Sequence, residues 1–280
     1  MATVTEHEAR QIETANESGR PPVVFIHGLW LLADSWGRWV SAFEEAGYAV
    51  LTPGWPDDPA SVEDARAHPD GFAGTTIKPI ADHYAEVIDR LAAKPAVVGH
   101  SFGGLLTQMI AGRGLAAVSV AISPAPFRGV LPVPIAALRS SWPVLRNPGN
   151  RNRAVLLTYE QFRYAFANAV PEAEAKQLYE TFHVPGSGAM IFQAATANLN
   201  PRTEAKVDTT SPDRGPLLII SADQDHTVPW SIASASFKKQ RRNEGVTEIA
   251  RLQNRGHSLT FDSGWRGAAD PALAFVKRFT

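Results

Sequence analysis

The chain has 280 residues, of which 44% are hydrophobic, and a formal net charge of −1. These values are typical of a globular protein whose length allows one large α/β domain or two small domains, and the balanced charge provides no attraction to nucleic acid or to an anionic membrane. The chain contains no cysteine, which excludes disulfides, zinc–thiolate sites and cysteine nucleophiles.

The first 20 residues are polar and mixed in charge, without the basic flank and apolar core of a secretory signal. No apolar run approaches the ~20 residues that cross a bilayer. We therefore expect a cytoplasmic protein with no membrane partner. The composition of this stretch is compatible with a frayed tail, a short helix or an added edge strand.

The next segments alternate between strand and helix patterns. The continuously apolar run Pro22–Ile26 predicts a buried parallel strand, and a helix with Asp34 as its N-cap follows it. Tyr48–Thr52 predicts a second strand, which implies a right-handed crossover between the two. Residues 57–76, rich in Pro, Gly, Asp and Ala, predict an irregular excursion, and Ile80–Ala92 has the spacing of an amphipathic helix.

The most informative motif lies near residue 100. An apolar strand from Ala96 runs into Gly99-His100-Ser101-Phe102-Gly103, and a helix pattern begins at Phe102. This is the pattern of a nucleophile elbow, in which a sharp strand-to-helix turn presents one serine at its tip. The turn requires glycine at both positions two residues from Ser101, and it predicts a strained backbone at the serine itself.

A long segment interrupts the alternation after the next predicted strand, Ala117–Ile122. Residues 127–207 contain several prolines and many aromatic residues, and they are too long for a simple connection. We interpret them as a helical cap inserted into a single domain of residues 1–280, with 171–182 as one of its helices. Most of its aromatic residues are expected to form the core of the cap itself: Trp142, Tyr159, Phe162, Tyr164, Phe166, Tyr179, Phe182 and Phe192.

The strand and helix patterns then resume. Pro216–Ile220 predicts a buried strand, Trp230–Arg242 a helix, Thr247–Leu252 a polar strand suited to a sheet edge, and Pro271–Phe279 a closing helix. The expected fold class is α/β, with a mostly parallel central sheet and helices on both faces. Four cations lie in the last turns of the predicted helix Trp230–Arg242 and are explained by the helix dipole and a solvated face: Lys238, Lys239, Arg241 and Arg242.

Four motifs together resemble the α/β-hydrolase-fold serine hydrolases of the esterase and cofactor-free haloperoxidase-like group. The resemblance covers residues 22–279 outside the cap and implies Ser101 as nucleophile, His257 as general base and Asp225 as its carboxylate partner. Asp223 is a rival carboxylate, because Ala222 replaces the usual glycine of the acid motif. The four motifs are His27-Gly28-Leu29-Trp30, Gly99-His100-Ser101-Phe102-Gly103, Asp225-His226-Thr227-Val228-Pro229 and Gly256-His257.

The same resemblance implies an oxyanion hole formed by the backbone N–H groups of Leu29 and Phe102. Trp30 is either an alternative donor or a substrate-binding wall of the acyl pocket. The sequence has no metal-ligand cluster, phosphate-binding loop or dinucleotide fingerprint, so we expect no metal and no cofactor.

Three other histidines adjoin the motif residues. We expect His100 to be packed structurally, with its side chain directed away from the nucleophile's pocket. His27 is interpreted as structural in preference to a substrate contact, and His226 as an exposed neighbour of the acid.

These residues predict a serine hydrolase that cleaves a carboxylic ester or lactone of an apolar to medium-sized small molecule through an acyl-serine intermediate. Thioesters, amides and peptides are alternatives, as are carbon–carbon bond hydrolase, lyase or perhydrolase chemistry on the same triad and a non-enzymatic ligand receptor. Epoxide hydrolase and dehalogenase chemistry is disfavoured, because relatives of those types have aspartate in place of Ser101. The oligomeric state does not follow from the sequence.

Overall fold

A six-stranded sheet forms the centre of the molecule. The computed structural model describes residues 4–280, and every pair of neighbouring strands in this sheet is parallel. The predicted parallel sheet is therefore confirmed. In order across the sheet, the strands are β2 (Ala49–Leu51), β1 (Pro22–Ile26), β3 (Ala96–His100), β4 (Val118–Ile122), β7 (Leu217–Ala222) and β8 (Thr247–Leu252).

Helices cover both faces of this sheet. The helices are α1 (Glu6–Ser18), α2 (Gly37–Glu45), α3 (Val62–Ala67), α4 (Ile77–Asp89), α5 (Phe102–Gly112), α6 (Ile135–Leu145), α7 (Tyr159–Ala165), α8 (Glu172–Phe182), α9 (Gly188–Ala195), α10 (Trp230–Gln240) and α11 (Arg266–Lys277). Short 3₁₀ turns lie at Ala33–Trp36, Pro69–Phe72 and Pro148–Asn152, and β5 (Ala154–Val155) pairs antiparallel with β6 (Gly186–Ser187). Within residues 4–280, no helix combines the length and apolar character that a membrane span requires.

The two faces have separate cores because successive side chains of a strand point in opposite directions. Val23 and Phe25 of β1 belong to the core that includes α2 and α11. Val24 and Ile26 belong to the other core, which includes α4 and α5. All five side chains of β1 are buried, which explains its continuously apolar sequence.

The edge position of β8 is also confirmed. The strand pairs only with β7, and five of its six side chains are partly exposed. Glu248 forms an ion pair with Arg278 on this open side. A polar sequence fits this position because only one side of the strand is covered.

Two expectations about the first half of the chain were wrong. Asp34 does not cap α2, since it lies inside a 3₁₀ turn that precedes the helix, and α2 has no side-chain cap. Residues 57–76 are not fully irregular, because Ser61 caps the short helix α3 and Ala65 of that helix is completely buried. The capping hydroxyl and one buried contact are enough to order a single short helix.

The structure also decides the form of both ends of the chain. Of the three interpretations of the first 20 residues, the helix is correct: α1 has a capping box between Thr5 and Glu8. The closing helix begins at Arg266, five residues earlier than predicted, and contains Pro271. The missing proline N–H is tolerated there because alanines before and after it, such as Ala269 and Ala272, are buried against the sheet.

Four helices and the small β5–β6 sheet lie between β4 and β7. This segment is attached to the loop after β1, where the Trp30 indole Nε1 donates to the Val155 carbonyl (2.9 Å) and the Val184 N–H donates to the Trp30 carbonyl (3.1 Å). The boundaries 127–207 of a functional cap stay a prediction.

Candidate active site

Ser101 lies at a sharp turn between β3 and α5. Its φ of 57° is in the left-handed region, which non-glycine residues rarely adopt. The turn is held by two neighbours, since the Ser101 N–H donates to the Ile122 carbonyl (2.9 Å) and the Leu105 N–H donates to the Ser101 carbonyl (3.1 Å). The hydroxyl is therefore presented by backbone that is fixed on both sides.

The two glycines that flank the serine have no space for a side chain. A Cβ on Gly99 would lie 2.2 Å from the Gly103 carbonyl oxygen, and a Cβ on Gly103 would lie 2.1 Å from the Ile26 carbonyl oxygen. Helix α5 can approach the strands this closely only because both positions are glycine.

Three side chains from three loops form one hydrogen-bonded chain. The Ser101 Oγ is 2.9 Å from the His257 Nε2, and the His257 Nδ1 is 2.7 Å from the Asp225 Oδ2. A carboxylate only accepts, so Nδ1 carries the proton and Nε2 is free to accept from the serine hydroxyl. All three residues are buried, with exposed fractions of 4% or less.

The carboxylate of Asp225 is held in its ionised form. Burial raises its pKa, but attraction to His257, the hydrogen bond from that ring and the Val228 N–H together bring the pKa below the ordinary value. The second oxygen, Oδ1, accepts from the Thr227 N–H (2.8 Å) and the Val228 N–H (2.7 Å). These two bonds leave Oδ2 directed at the histidine.

The rival carboxylate, Asp223, faces a different partner. Its Oδ1 accepts from the Arg255 N–H (3.2 Å), and its own N–H continues the strand pairing to Leu252. Within residues 4–280, His257 has no hydrogen bond to Asp223.

The expected oxyanion donors are the N–H groups of Leu29, in the loop after β1, and of Phe102, at the start of α5. Phe102 is the first residue of α5, so its N–H is among those left free at a helix N-terminus, where the dipole favours negative charge. Gly28, which precedes Leu29, is close enough that a Cβ on it would lie 3.0 Å from the Ser101 Cβ. In the part of the chain that the structure describes, neither the Leu29 N–H nor the Phe102 N–H donates to a protein acceptor.

A cavity of about 260 Å³ opens from Ser101. Its lining is mostly apolar, and the polar side chains Ser140, Asn198 and Thr227 interrupt it. The cavity walls come mainly from the segment between β4 and β7, with Trp30 and Phe102 beside the serine. The arrangement places an apolar space directly in front of the Ser101 hydroxyl.

Trp30 is a wall of this cavity and an anchor for the inserted segment. Its backbone has a φ of 69°, and its ring packs edge to face on Phe166 with centroids 6.1 Å apart. The indole N–H is engaged by Val155, as described above, which fixes the orientation of the ring.

The three neighbouring histidines have distinct surroundings. His27 is buried, bonds Asp58 through Nε2 (2.9 Å) and stacks on Trp55, which is a structural environment. His100 does not line the cavity but packs on the ring of His257, with centroids 4.6 Å apart, and burial together with that neighbour holds its pKa well below the ordinary value. The expectation that His226 is exposed was wrong, because it is half-buried and stacks on Tyr164 at 4.4 Å.

Two contacts at the site were not anticipated from the sequence. Phe166 packs edge to face on His257 (4.9 Å) and accepts the Ser258 N–H with its carbonyl (3.0 Å), although it had been interpreted only as core of the cap. The hydroxyls of Ser140 in α6 and Thr227 in the acid loop are 2.7 Å apart. Neither contact has a local sequence signal, because both join residues that are distant in the chain.

The fold and the arrangement of this site define a hydrolase. Residues 23–270 match the model of the alpha/beta hydrolase family. The chain therefore belongs to that family, and the resemblance inferred from its motifs is confirmed.

Known proteins similar to this chain have diverse activities. Epoxide hydrolase A of Mycobacterium tuberculosis (strain ATCC 25618 / H37Rv) is 26% identical over 282 residues, which cover 95% of this chain and 81% of that protein. A monoacylglycerol lipase from Paleococcus ferrophilus has a TM-score of 0.62 and 19% identity, covering 92% of this chain and 96% of the other. A pyrethroid hydrolase from Sphingobium faniae JZ-2 has a TM-score of 0.62 and 16% identity, covering 92% and 97%. At these identities the two structures support the fold alone.

Proposed function

We propose that this protein is a serine hydrolase that cleaves a carboxylic ester or lactone of an apolar to medium-sized small molecule. The hydrogen-bonded chain from Ser101 through His257 to Asp225 carries this proposal. A serine hydroxyl becomes a competent nucleophile when a base within hydrogen-bond reach is itself oriented by a third group.

In the first half of the reaction, the Ser101 Oγ attacks the substrate carbonyl carbon while its proton passes to the His257 Nε2. The carbonyl π electrons move to the oxygen, where the N–H groups of Leu29 and Phe102 stabilise the negative charge. When the intermediate collapses, the bond to the alcohol breaks and the alcohol oxygen takes the proton from His257. The acyl group then remains on Ser101 as an ester.

In the second half, His257 removes a proton from water, and the resulting hydroxide attacks the acyl carbon. Collapse of this second intermediate breaks the bond to the Ser101 Oγ, which recovers its proton from His257. The carboxylic acid leaves, and the enzyme returns to its starting state. Asp225 stabilises the imidazolium in both halves without taking its proton.

The chemistry of serine favours an acyl substrate over an epoxide, although one relative is named an epoxide hydrolase. Attack of the Ser101 oxygen on an epoxide carbon would form an ether, and water has no carbonyl to attack in an ether. A carboxylate nucleophile would instead form an ester, which can be hydrolysed. Ser101 therefore supports turnover of esters and not of epoxides.

The apolar cavity supports a substrate whose acyl or alcohol part is hydrophobic. The names of the two structural neighbours, a monoacylglycerol lipase and a pyrethroid hydrolase, are compatible with such substrates. We further propose that residues 127–207 act as the cap that forms most of this pocket.

Covalent labelling with a fluorophosphonate, followed by hydrolysis of a panel of p-nitrophenyl esters of increasing chain length, tests this function. We expect the wild-type protein and Ser119→Ala to be labelled and active, and Ser101→Ala to be neither. Ser119 is a buried serine inside β4 that, within residues 4–280, does not bond Ser101, His257 or Asp225, so it controls for nonspecific labelling. Labelling that persists in Ser101→Ala, or turnover of an epoxide panel with no turnover of esters, would overturn the proposal.

A further inference from the structure

A patch of large apolar side chains is exposed at the mouth of the cavity. Leu131, Val133, Ile135, Leu138 and Trp142 are 72%, 75%, 85%, 43% and 55% exposed. We call these five residues the apolar patch. Val133 and Leu138 also line the cavity, so the patch is continuous with the space in front of the nucleophile. Exposed apolar groups concentrated in this way mark interaction sites.

Helix α6 presents an apolar stripe to solvent. Ile135, Leu138 and Trp142 are separated by three and four residues, a spacing that places them on one side of a helix. Ser140 and Val144, which are buried, lie on the opposite side. A surface helix normally turns its apolar stripe toward the core. In α6 the side chains of this stripe are instead 43% to 85% exposed in the described chain.

The same segment has a strong local positive charge that the overall net charge of −1 conceals. Residues 127–153 contain five arginines and no aspartate or glutamate. All five side chains are exposed, and none forms an ion pair within the part of the chain that the structure describes. These arginines are Arg128, Arg139, Arg146, Arg151 and Arg153.

We propose, in contrast to the expectation of no membrane partner drawn from the net charge, that the apolar patch together with Arg139 and Arg146 forms a docking surface for an anionic lipid membrane. Arg139 and Arg146 each lie four residues after a residue of the apolar stripe, Ile135 and Trp142, and so on the same side of α6 and its C-terminal end. Apolar side chains of α6 would enter the acyl-chain boundary, while guanidinium groups around them pair with lipid phosphates. Trp142 belongs to the residue type that favours the membrane–water interface. Docking on this face brings the mouth of the cavity against the lipid, so that an apolar substrate passes from the membrane to Ser101 without crossing water.

The charge pattern favours a lipid surface over a second copy of this chain. A symmetric dimer built on this face would bring Arg139 and Arg146 of each subunit together. Such juxtaposed like charges oppose association, because no carboxylate in residues 127–153 compensates them. An anionic membrane supplies the missing negative charge and an apolar layer at once.

Vesicle flotation with Ser101→Ala protein tests this proposal without reference to the hydrolytic function. Two sets of vesicles are compared, one of phosphatidylcholine alone and one containing equal parts of phosphatidylglycerol. We expect binding at least about tenfold tighter to the anionic vesicles, and weakening as salt rises from about 0.05 to 0.5 M. Added to this background, Ile135→Ser with Trp142→Ser, and separately Arg139→Gln with Arg146→Gln, should each reduce that binding on the order of tenfold.

The matched control for charge is Arg10→Gln with Arg20→Gln. These two exposed arginines lie by the β2 edge of the sheet and outside the docking surface, so their loss removes the same charge and should change binding less than about twofold. Circular dichroism checks that every variant is folded. The proposal is overturned if the protein does not bind anionic vesicles, if the control loses as much binding as Arg139→Gln with Arg146→Gln, or if ultracentrifugation shows a dimer that the Ile135 and Trp142 changes abolish.

Discussion

The second residue of helix α5, Gly103, packs directly against the Ile26 carbonyl oxygen at the end of β1. A Cβ on Gly103 would lie 2.1 Å from that oxygen, well inside van der Waals contact. The loop that carries the expected oxyanion donor Leu29 begins immediately after Ile26. This contact therefore helps to set the distance between the Ser101 turn and the loop that carries Leu29.

Gly103→Ala is expected to destabilise the protein by about 3 kcal/mol or more, because both the helix and the strand must shift. Gly267→Ala is the matched control, since Gly267 is also the second residue of a helix, α11, and a Cβ there meets nothing within 4 Å. The control should be neutral or more stable by up to about 1 kcal/mol. Urea unfolding of both variants measures the difference, and equal stability would refute the argument from close packing.

Gly28→Ala is expected to reduce ester hydrolysis more than it reduces stability. A Cβ on Gly28 would lie 3.0 Å from the Ser101 Cβ and 3.1 Å from the His100 carbonyl oxygen. A displacement of a few tenths of an ångström at this point misplaces the Leu29 donor, and we expect kcat to fall on the order of tenfold. Gly71→Ala, which meets no atom within 4 Å, is the control. A wild-type kcat in Gly28→Ala would mean that this loop does not position the reacting group.

Asp225→Asn should reduce kcat for an ester on the order of 10⁴-fold, because the amide N–H₂ directs the His257 ring into the tautomer that cannot accept the serine proton. Asp223→Asn tests the rival carboxylate, which bonds only backbone groups near Arg255. We expect this second change to alter kcat by less than about fivefold. Steady-state kinetics distinguish the two, and a comparable loss in both variants would show that the two carboxylates act together.

A buried histidine makes the stability of the fold sensitive to acid. Burial and the nearby Arg66 guanidinium lower the pKa of His183 to about 3, and its Nε2 accepts the Leu157 N–H (3.1 Å). In the unfolded chain the ring titrates at its ordinary pKa of about 6.5. Between about pH 6.5 and 3 the His183 ring is therefore protonated in the unfolded state and neutral in the folded state. Stability therefore falls as the pH falls through this window.

Between pH 7 and pH 5, His183 should account for about 2 kcal/mol of the lost stability. In His183→Gln, which keeps an acceptor but no titrating ring, we expect the difference between the two pH values to shrink by that amount. His68→Gln is the control, because His68 is 78% exposed. Urea unfolding at both pH values gives the comparison. An unchanged difference in His183→Gln would contradict the assignment of acid sensitivity to this residue.

The strands and the elbow followed from the sequence because their signals are local. The bounds of β1 and β8 agree with the predicted ones, since a buried strand is uniformly apolar and an edge strand is not. The order of Ser101, Asp225 and His257 along the chain is characteristic of the family, so it could be recognised in the sequence without knowing how far apart the residues lie. Local rules were sufficient wherever one short segment determines its own structure.

The features that the sequence missed or left open depend on contacts between distant segments. Helix α1 and the half-buried His226 owe their positions to partners elsewhere in the chain: the buried Glu8 carboxylate bonds His83 (2.8 Å), and His226 bonds the Tyr164 carbonyl (3.0 Å). The exposed stripe of α6 has the same periodicity as a buried one, so the sequence cannot tell which side of the helix faces solvent. Only the packing of the inserted segment decides it.

The cavity is formed by two separate parts of the chain, and this affects how the substrate preference of the protein can evolve. The proposed catalytic residues Ser101, Asp225 and His257 follow separate strands of the sheet, whereas most of the cavity wall comes from one continuous stretch between β4 and β7. Exchange of that stretch with the equivalent stretch of a paralogue would alter substrate preference in a single recombination event. New specificities can therefore diversify while the machinery that breaks the bond is inherited intact.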